Sequence, residues 1–280
     1  MSPTPFSIAS SLEPKGQDCF VGTIPTGWSV VVGTHGGLIA ALMTRAAGLV
    51  TGPERPIRSI TIHFARPAKP GEITIEATRE REGSRISALS LRMKQGGETV
   101  ALALAAGGAL RESMSFTDLP MPDVPAPEAI PQLEYLPGVM PQFMAHADFR
   151  PVWSGSPGSP SSTPDAVVGG WMRALEGAPL DAPGCAFLAD MWWPAVFAVS
   201  DGPVGAPTID LTIHFRSDLP PADSQPDQFT LGRFRSRLID SGHFEEDGVL
   251  WSSSGKVLAQ SRQLALVLPL PPGGLAGARP

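Results

Sequence analysis

Residues 208–221 read TIDLTIHFRSDLPP, and residues 58–71 read RSITIHFARPAKPG. The shared letters TIHF begin at Thr61 and again at Thr212, 151 positions later. A tetrapeptide recurs by chance easily, so the order of elements around each copy decides whether the chain is a repeat. Ahead of the first copy, HGGLIAALMTRAAGLV (residues 35–50) sets Leu38, Leu42, Ala46 and Leu49 at helical spacing, with Gly48 near the end. The same offset carries His35 to Ala186, where AFLADMWWPAVFAVS begins. That apolar run predicts a second helix over about Phe187 to Val199, ended or kinked at Pro194. After the first copy come EITIEATREREG, RISALSLRMKQGG and TVALALAAGG; after the second come QFTLGRFRSRLIDSG, HFEEDGVLWSSSG and KVLAQSRQLALVLP. All alternate like strands and are separated by glycine-containing turns. Each half therefore reads strand, apolar helix, then a meander of strands. An antiparallel sheet with one polar face leaves its other face bare, and a helix apolar nearly all round is what covers it.

The chain of 280 residues suffices for two modest domains or one large one. With 42% hydrophobic and 17% charged residues it is globular rather than disordered. Its net charge is −6 and its basic residues are scattered, which argues against nucleic acid as a partner. Cys19 and Cys185 give neither a metal spacing nor a disulfide framework. The opening MSPTPFSIASSLEPKG lacks the basic-then-apolar order of a signal peptide, and no run of about 18 apolar residues predicts a membrane span. A cytoplasmic location is the expectation. Between Arg111 and Pro141 the prolines deny donors to any sheet or helix interior, so 111–141 is expected to be an extended surface linker between halves at 1–110 and 142–280. Residues 153–170, rich in Ser, Pro and Gly, are expected to form a loop.

This order of elements resembles the hotdog fold, a sheet wrapped around one helix. Two in one chain give an α+β double hotdog, two antiparallel sheets each around one long central helix, joined by the Pro-rich linker. The motifs narrow the resemblance. GWSVVVGTHGGLIAAL, GGWMRALEGAPLDAPGCAFLADMWWPAVF and DGVLWSSSGKVLAQSRQLALV are similar to the corresponding segments of the thioesterase II-like acyl-CoA thioesterases. The resemblance spans about Phe6 to Leu268. It implies hydrolysis of an acyl-CoA or other acyl thioester by a water held by an Asp, a Thr and a Gln of the second hotdog, with no metal and no cofactor. By local motif these fall on Asp190 in FLADMWW, Thr208 seven residues before Phe215, and Gln263 four residues after Ala259. This sequence departs from the family in the bulky Met191-Trp192-Trp193 segment and in the His214-Phe215-Arg216 ending of its strand.

The repeat offers its own test of the trio. At the 151-residue offset Asp190 corresponds to Ile39 and Thr208 to Ile57, and matching the closing strands TVALALAAGG and KVLAQSRQLA with Thr99 on Val257 pairs Gln263 with Ala105. Polar in one copy and apolar in the other is the pattern of one site per chain. A carboxylate can act as general base on water, while Thr and Gln orient it. Gly36 and Gly37, opening the first helix, offer free N–H groups and close backbone approach to an oxyanion. Blander roles compete. Asp190 would cap a helix start, Thr208 and Gln263 would be ordinary strand residues, and the glycines would serve packing. His35 is read as a cap or pocket rim, and His63 and His214, equivalent in the two copies, as structural. The absence of GxSxG and of GxxxxGK[ST] disfavours serine-hydrolase and phosphate-loop chemistry. The competing function is a non-catalytic acyl-thioester or lipid-binding double hotdog. A hydratase is disfavoured because no His accompanies Asp190 in its segment. A chain that already contains a pair needs no partner to build a site, yet closed oligomers are common, so a homo-oligomer is expected.

Overall fold

A computed structural model describes residues 4–109, 111–153, 165–202, 204–225 and 227–270. The first half holds α1 (Pro5–Ala9), β1 (Glu13–Gly16), β2 (Cys19–Ile24), α2 (Gly36–Thr51), β3 (Ile57–Phe64), β4 (Gly71–Glu82), β5 (Ile86–Gln95) and β6 (Glu98–Gly108). After 3-10 turns at Pro127–Ala129 and Gln142–His146 come β7 (Ala147–Trp153), β8 (Val167–Ala174) and α3 (Ala182–Leu188). A 3-10 turn at Ala195–Ala198 leads to β9 (Val204–Gly205), β10 (Thr208–Phe215), β11 (Thr230–Arg235) and β12 (Ile239–Asp240). The chain then closes with β13 (His243–Ser252), β14 (Val257–Leu266) and β15 (Leu268–Pro269).

Among the described residues one antiparallel sheet runs in the order β1-β2-β4-β5-β6-β3-β10-β14-β13-β11-β8-β7. The two TIHF strands, β3 and β10, lie at its centre and pair with each other, Thr61 opposite Thr212. Their hydroxyls are 3.0 Å apart. The ladder maps onto itself under the 151-residue offset, since Ser59–His214 becomes Asp210–His63. Thr61 and Thr212 therefore mark a pseudo-two-fold axis. The copies also share an irregularity. The β3–β6 register shifts between Ile57 and Ser59, and the β10–β14 register between Thr208 and Asp210. A bulge re-aims the side chain beside it, and one of these two bulges carries Thr208.

The core lies between the sheet and the two helices. α2 packs on β3 to β6, α3 on β8 and β10, and the helices pack on each other. α2 is buried nearly all round, with Leu38, Leu42 and Met43 fully enclosed; each such side chain stabilises by about 1.5–3 kcal/mol. Its alanines at 40, 41, 46 and 47 are buried and let neighbours approach closely. Leu49, placed by spacing on the apolar stripe, is instead exposed.

The second helix differs from the expected one. It spans Ala182–Leu188, seven residues, rather than a long helix from about Phe187 to Val199. Its start is fixed earlier by Asp181, whose carboxylate accepts the Gly184 N–H at 2.8 Å, with proline tolerated in the first turn. Its end precedes Pro194, which has no N–H to continue the ladder. The two halves are thus not equal wrappings around equal helices. The stretch read as a loop over 153–170 contains the first half of β8 at its end, and its residues 154–164 lie outside the described residues. Segment 111–141 does more than span a distance. Leu119, Met121, Val124 and Ile130 pack on buried Trp171, Leu231 and Trp251, on the sheet's outer side. The indole N–H of Trp171 donates to the Pro125 carbonyl at 2.8 Å, and that of Trp251 to the Leu119 carbonyl at 3.2 Å. Among the described residues, no helix is long and apolar enough to cross a membrane.

Candidate active site

Asp190 lies in the turn just past α3, not at the start of its own helix. A helix continuing through residue 194 would use the Asp190 carbonyl as acceptor, and proline has no donor for it. His35 takes that carbonyl: its Nε2–H donates to Asp190 O at 2.8 Å. A carbonyl only accepts, so this bond fixes the Nε2–H tautomer. The ring stacks on Phe143 with centroids 3.8 Å apart and meets Phe187 edge-on. Burial drops the His35 pKa to about 4, so it is neutral and makes no ion pair with the Asp190 carboxylate 3.8 Å away. His35 is also the residue before α2, and its main-chain N–H donates to Trp28 O at 2.9 Å. One neutral side chain thus ties the start of the first central helix to the end of the second.

The Asp190 carboxylate faces that helix start. A Cβ built on Gly36 would lie 2.6 Å from Asp190 Oδ2, and one on Gly37 would lie 2.7 Å from the Phe187 carbonyl. Neither glycine is needed for its φ; both permit close approach. Burial pushes the Asp190 carboxyl up to about 7, and the Gly37 N–H directed at it offsets part of the rise. Its side chain keeps 14% exposure, a narrow opening to solvent.

The other two residues of the expected trio meet each other. The Thr208 hydroxyl donates to Gln263 Oε1 at 2.9 Å. Thr208 is opposite Ala265 in the ladder, and Gln263 lies two residues along the same face, within diagonal reach. Gln263 Nε2–H donates to Glu246 Oε1 at 2.7 Å, and Glu246 Oε2 accepts the Ala195 N–H at 2.5 Å. Glu246 is 4% exposed. Burial raises its pKa to about 7, the two donors work against the rise, and the Asp190 charge adds to it. Among the described residues no hydrogen bond joins Asp190 to Thr208 or Gln263; Asp190 reaches that group through its field on Glu246.

Glu246 is the functional candidate that sequence reasoning missed. It had a signal: in β13 it shares the inward phase with Phe244 and Leu250, where an acid is out of place. The first half has no counterpart to any of these side chains. By ladder register Gln263 opposite Leu211 matches Ala105 opposite Ile60, and Glu246 opposite Gln263 matches Leu89 opposite Ala105. Ile39, Ile57, Leu89 and Ala105 are all buried and apolar. Met191, Trp192 and Trp193 are buried in the core, with Trp192 edge-on to Phe149.

Two family descriptions match the chain, the acyl-CoA thioesterase N-terminal domain over residues 24–107 and the acyl-CoA thioesterase C-terminal domain over residues 120–267. An uncharacterised protein of Mycobacterium tuberculosis is 27% identical, over 94% of this chain and 98% of that one. A conserved protein of unknown function with a hot dog fold from Alicyclobacillus acidocaldarius is 32% identical, with TM-score 0.85, over 94% of this chain and 98% of that one. A putative thioesterase II from Thermobifida fusca, 24% identical at TM-score 0.81, covers 96% of this chain and 99% of its own, a likeness of fold. The chain therefore has a hotdog fold and belongs to the thioesterase II-like acyl-CoA thioesterase family.

Proposed function

We propose that the protein hydrolyses an acyl-CoA thioester to the free acid and CoA, with Asp190 as general base and Thr208 and Gln263 positioning the water. The observation that carries this reading is a nearly enclosed carboxylate, with its pKa raised to about 7, set against the N-terminus of α2. A base tuned near the working pH is effective because it both accepts and returns a proton. In the proposed reaction, water oxygen attacks the thioester carbon and its proton passes to Asp190. The carbonyl becomes an oxyanion, met by N–H groups of Gly36 and Gly37. The Gly37 N–H is directed at Asp190 in the resting site; protonation of the carboxylate weakens that attraction as the oxyanion's demand appears. Collapse breaks the C–S bond, and the CoA thiolate takes the proton from Asp190. No metal or cofactor enters this scheme.

A panel of acyl-CoAs of increasing chain length, followed by free thiol release, tests the reading. Release from some member is expected. Binding of acyl-CoA without release from any member would replace it with the acyl-thioester-binding reading. Thr208→Ala and Gln263→Ala are each expected to lower kcat about tenfold, the loss of one well-placed hydrogen bond. The double variant should lose little more than either, because the two residues share one bond. Steady-state kinetics of the three variants checks this; multiplying losses would mean independent roles. We further propose that 1–110 and 142–280 act as the two halves of this one site, with 111–141 as linker. The expected homo-oligomer is open to light scattering, where a strict 29 kDa species would remove it.

A further inference from the structure

We infer that Glu246 is a positioning residue that fixes which way round the Gln263 side-chain amide sits. The inference rests on the proposed reaction, but its geometry does not. A primary amide is nearly symmetric in shape, so orientation is decided by its partners. Gln263 has one on each side, the Thr208 hydroxyl on Oε1 and the Glu246 carboxylate on Nε2. A hydroxyl donates or accepts and would tolerate either orientation. When ionised, above its pKa of about 7, the Glu246 carboxylate only accepts, so it then admits Nε2 alone. Glu246 is itself held: its second oxygen takes the Ala195 N–H, a backbone donor following Pro194. The order runs from Ala195 N–H through Glu246 and Gln263 to Thr208, and each step dictates the next. It leaves the Thr208 oxygen as an acceptor and one Nε2–H of Gln263 unassigned, which suits a water that must both donate and accept. The first half, with Leu89 and Ala105 at these places, has no such chain.

The charged groups acting on Glu246 are Asp190, in the turn after α3, and Glu245, on its own strand; both are acids. Removing the negative charge at 246 therefore makes Asp190 easier to ionise. Glu246→Gln offers one acceptor to two donors and should turn the chain round. Glu246→Leu, the first half's own residue, removes the constraint while keeping an apolar side chain that this fold accommodates. With the acyl-CoA that the parent hydrolyses best, each variant is expected to lower kcat about tenfold with KM nearly unchanged. The acid limb of kcat/KM should move to lower pH. In a Gln263→Ala background neither substitution should lower kcat further. The second readout needs no activity. The Gln263 side-chain NH2 pair, assigned by its loss in Gln263→Ala, should be shifted and slow to exchange in the parent, and should collapse toward free-amide values in Glu246→Leu. Losses that multiply with Gln263→Ala, or an amide pair indifferent to Glu246→Leu, would overturn the inference. A parent that releases no thiol while the amide pair still responds would overturn the proposed reaction and leave the positioning role standing.

Discussion

Asp190→Asn is expected to lose about 10²–10⁴-fold in turnover and to gain stability above pH 7. Both effects have one cause. The amide keeps the size of the side chain, and its carbonyl oxygen still accepts from the N–H of Gly37, but it cannot take the proton of water. The stability sign follows from linkage. The folded-state pKa of Asp190 is raised from 3.8 to about 7 by burial. Between those values the folded protein keeps a proton that the unfolded chain releases, so parent stability falls as pH rises through this window. The whole penalty is present above about 7 and absent below about 3.8. Asparagine carries none of it. The variant should match the parent near pH 4 and exceed it by up to about 4 kcal/mol at pH 8. Urea unfolding at the two pH values, beside thiol release, checks the pair of effects. A folded variant as active as its parent would place the base elsewhere. A variant less stable at pH 8 would mean that the carboxylate is a structural cap.

What was legible in the sequence follows the range of the forces involved. The central strands, Ile57–Phe64 and Thr208–Phe215, are short-range patterns repeated, and repetition made them readable as equivalents; that they pair with each other across a dyad at Thr61 and Thr212 is seen only in the structure. The second helix was misplaced because its apolar run continues to Val199, while its start is set by a single residue, Asp181, ahead of that run. Leu49 fits a helical period but is exposed at the last turn. Thr208 and Gln263 were legible through local motif and the repeat's asymmetry. Glu246 was not, because Glu245-Glu246-Asp247 reads as a solvated acidic run. Only the strand's alternation, with Phe244 and Leu250 inward, turns the middle acid into the core. The bond from His35 to the Asp190 carbonyl spans 155 residues, and nothing local encodes it.

Gly36→Ala and Gly37→Ala, adjacent and chemically identical changes, are expected to fail differently. The Gly37 Cβ would meet the Phe187 carbonyl at 2.7 Å and His35 Cε1 at 2.6 Å. The first is backbone of α3, and the second is a ring clamped by Phe143 and Phe187. Neither yields without parting the two helices, so Gly37→Ala should cost about 1–3 kcal/mol of stability. The Gly36 Cβ would meet Asp190 Oδ2 at 2.6 Å and ring atoms of Phe64 only at 3.4 Å and beyond. A side-chain carboxylate can swing away, so the fold should survive at small cost while the base is displaced. A displacement near 1 Å lowers turnover about 10²-fold. The distinction becomes sharp when Asp190 is truncated. In an Asp190→Ala background the stability cost of Gly36→Ala should vanish, because the atom it strikes is gone, whereas that of Gly37→Ala should persist unchanged. Thermal unfolding of the six chains near neutral pH measures both couplings. A Gly36→Ala protein with full thiol release would show that the reaction does not need the carboxylate where it lies. A Gly36→Ala cost that persists without the Asp190 side chain would show that the glycine serves helix packing, not the site.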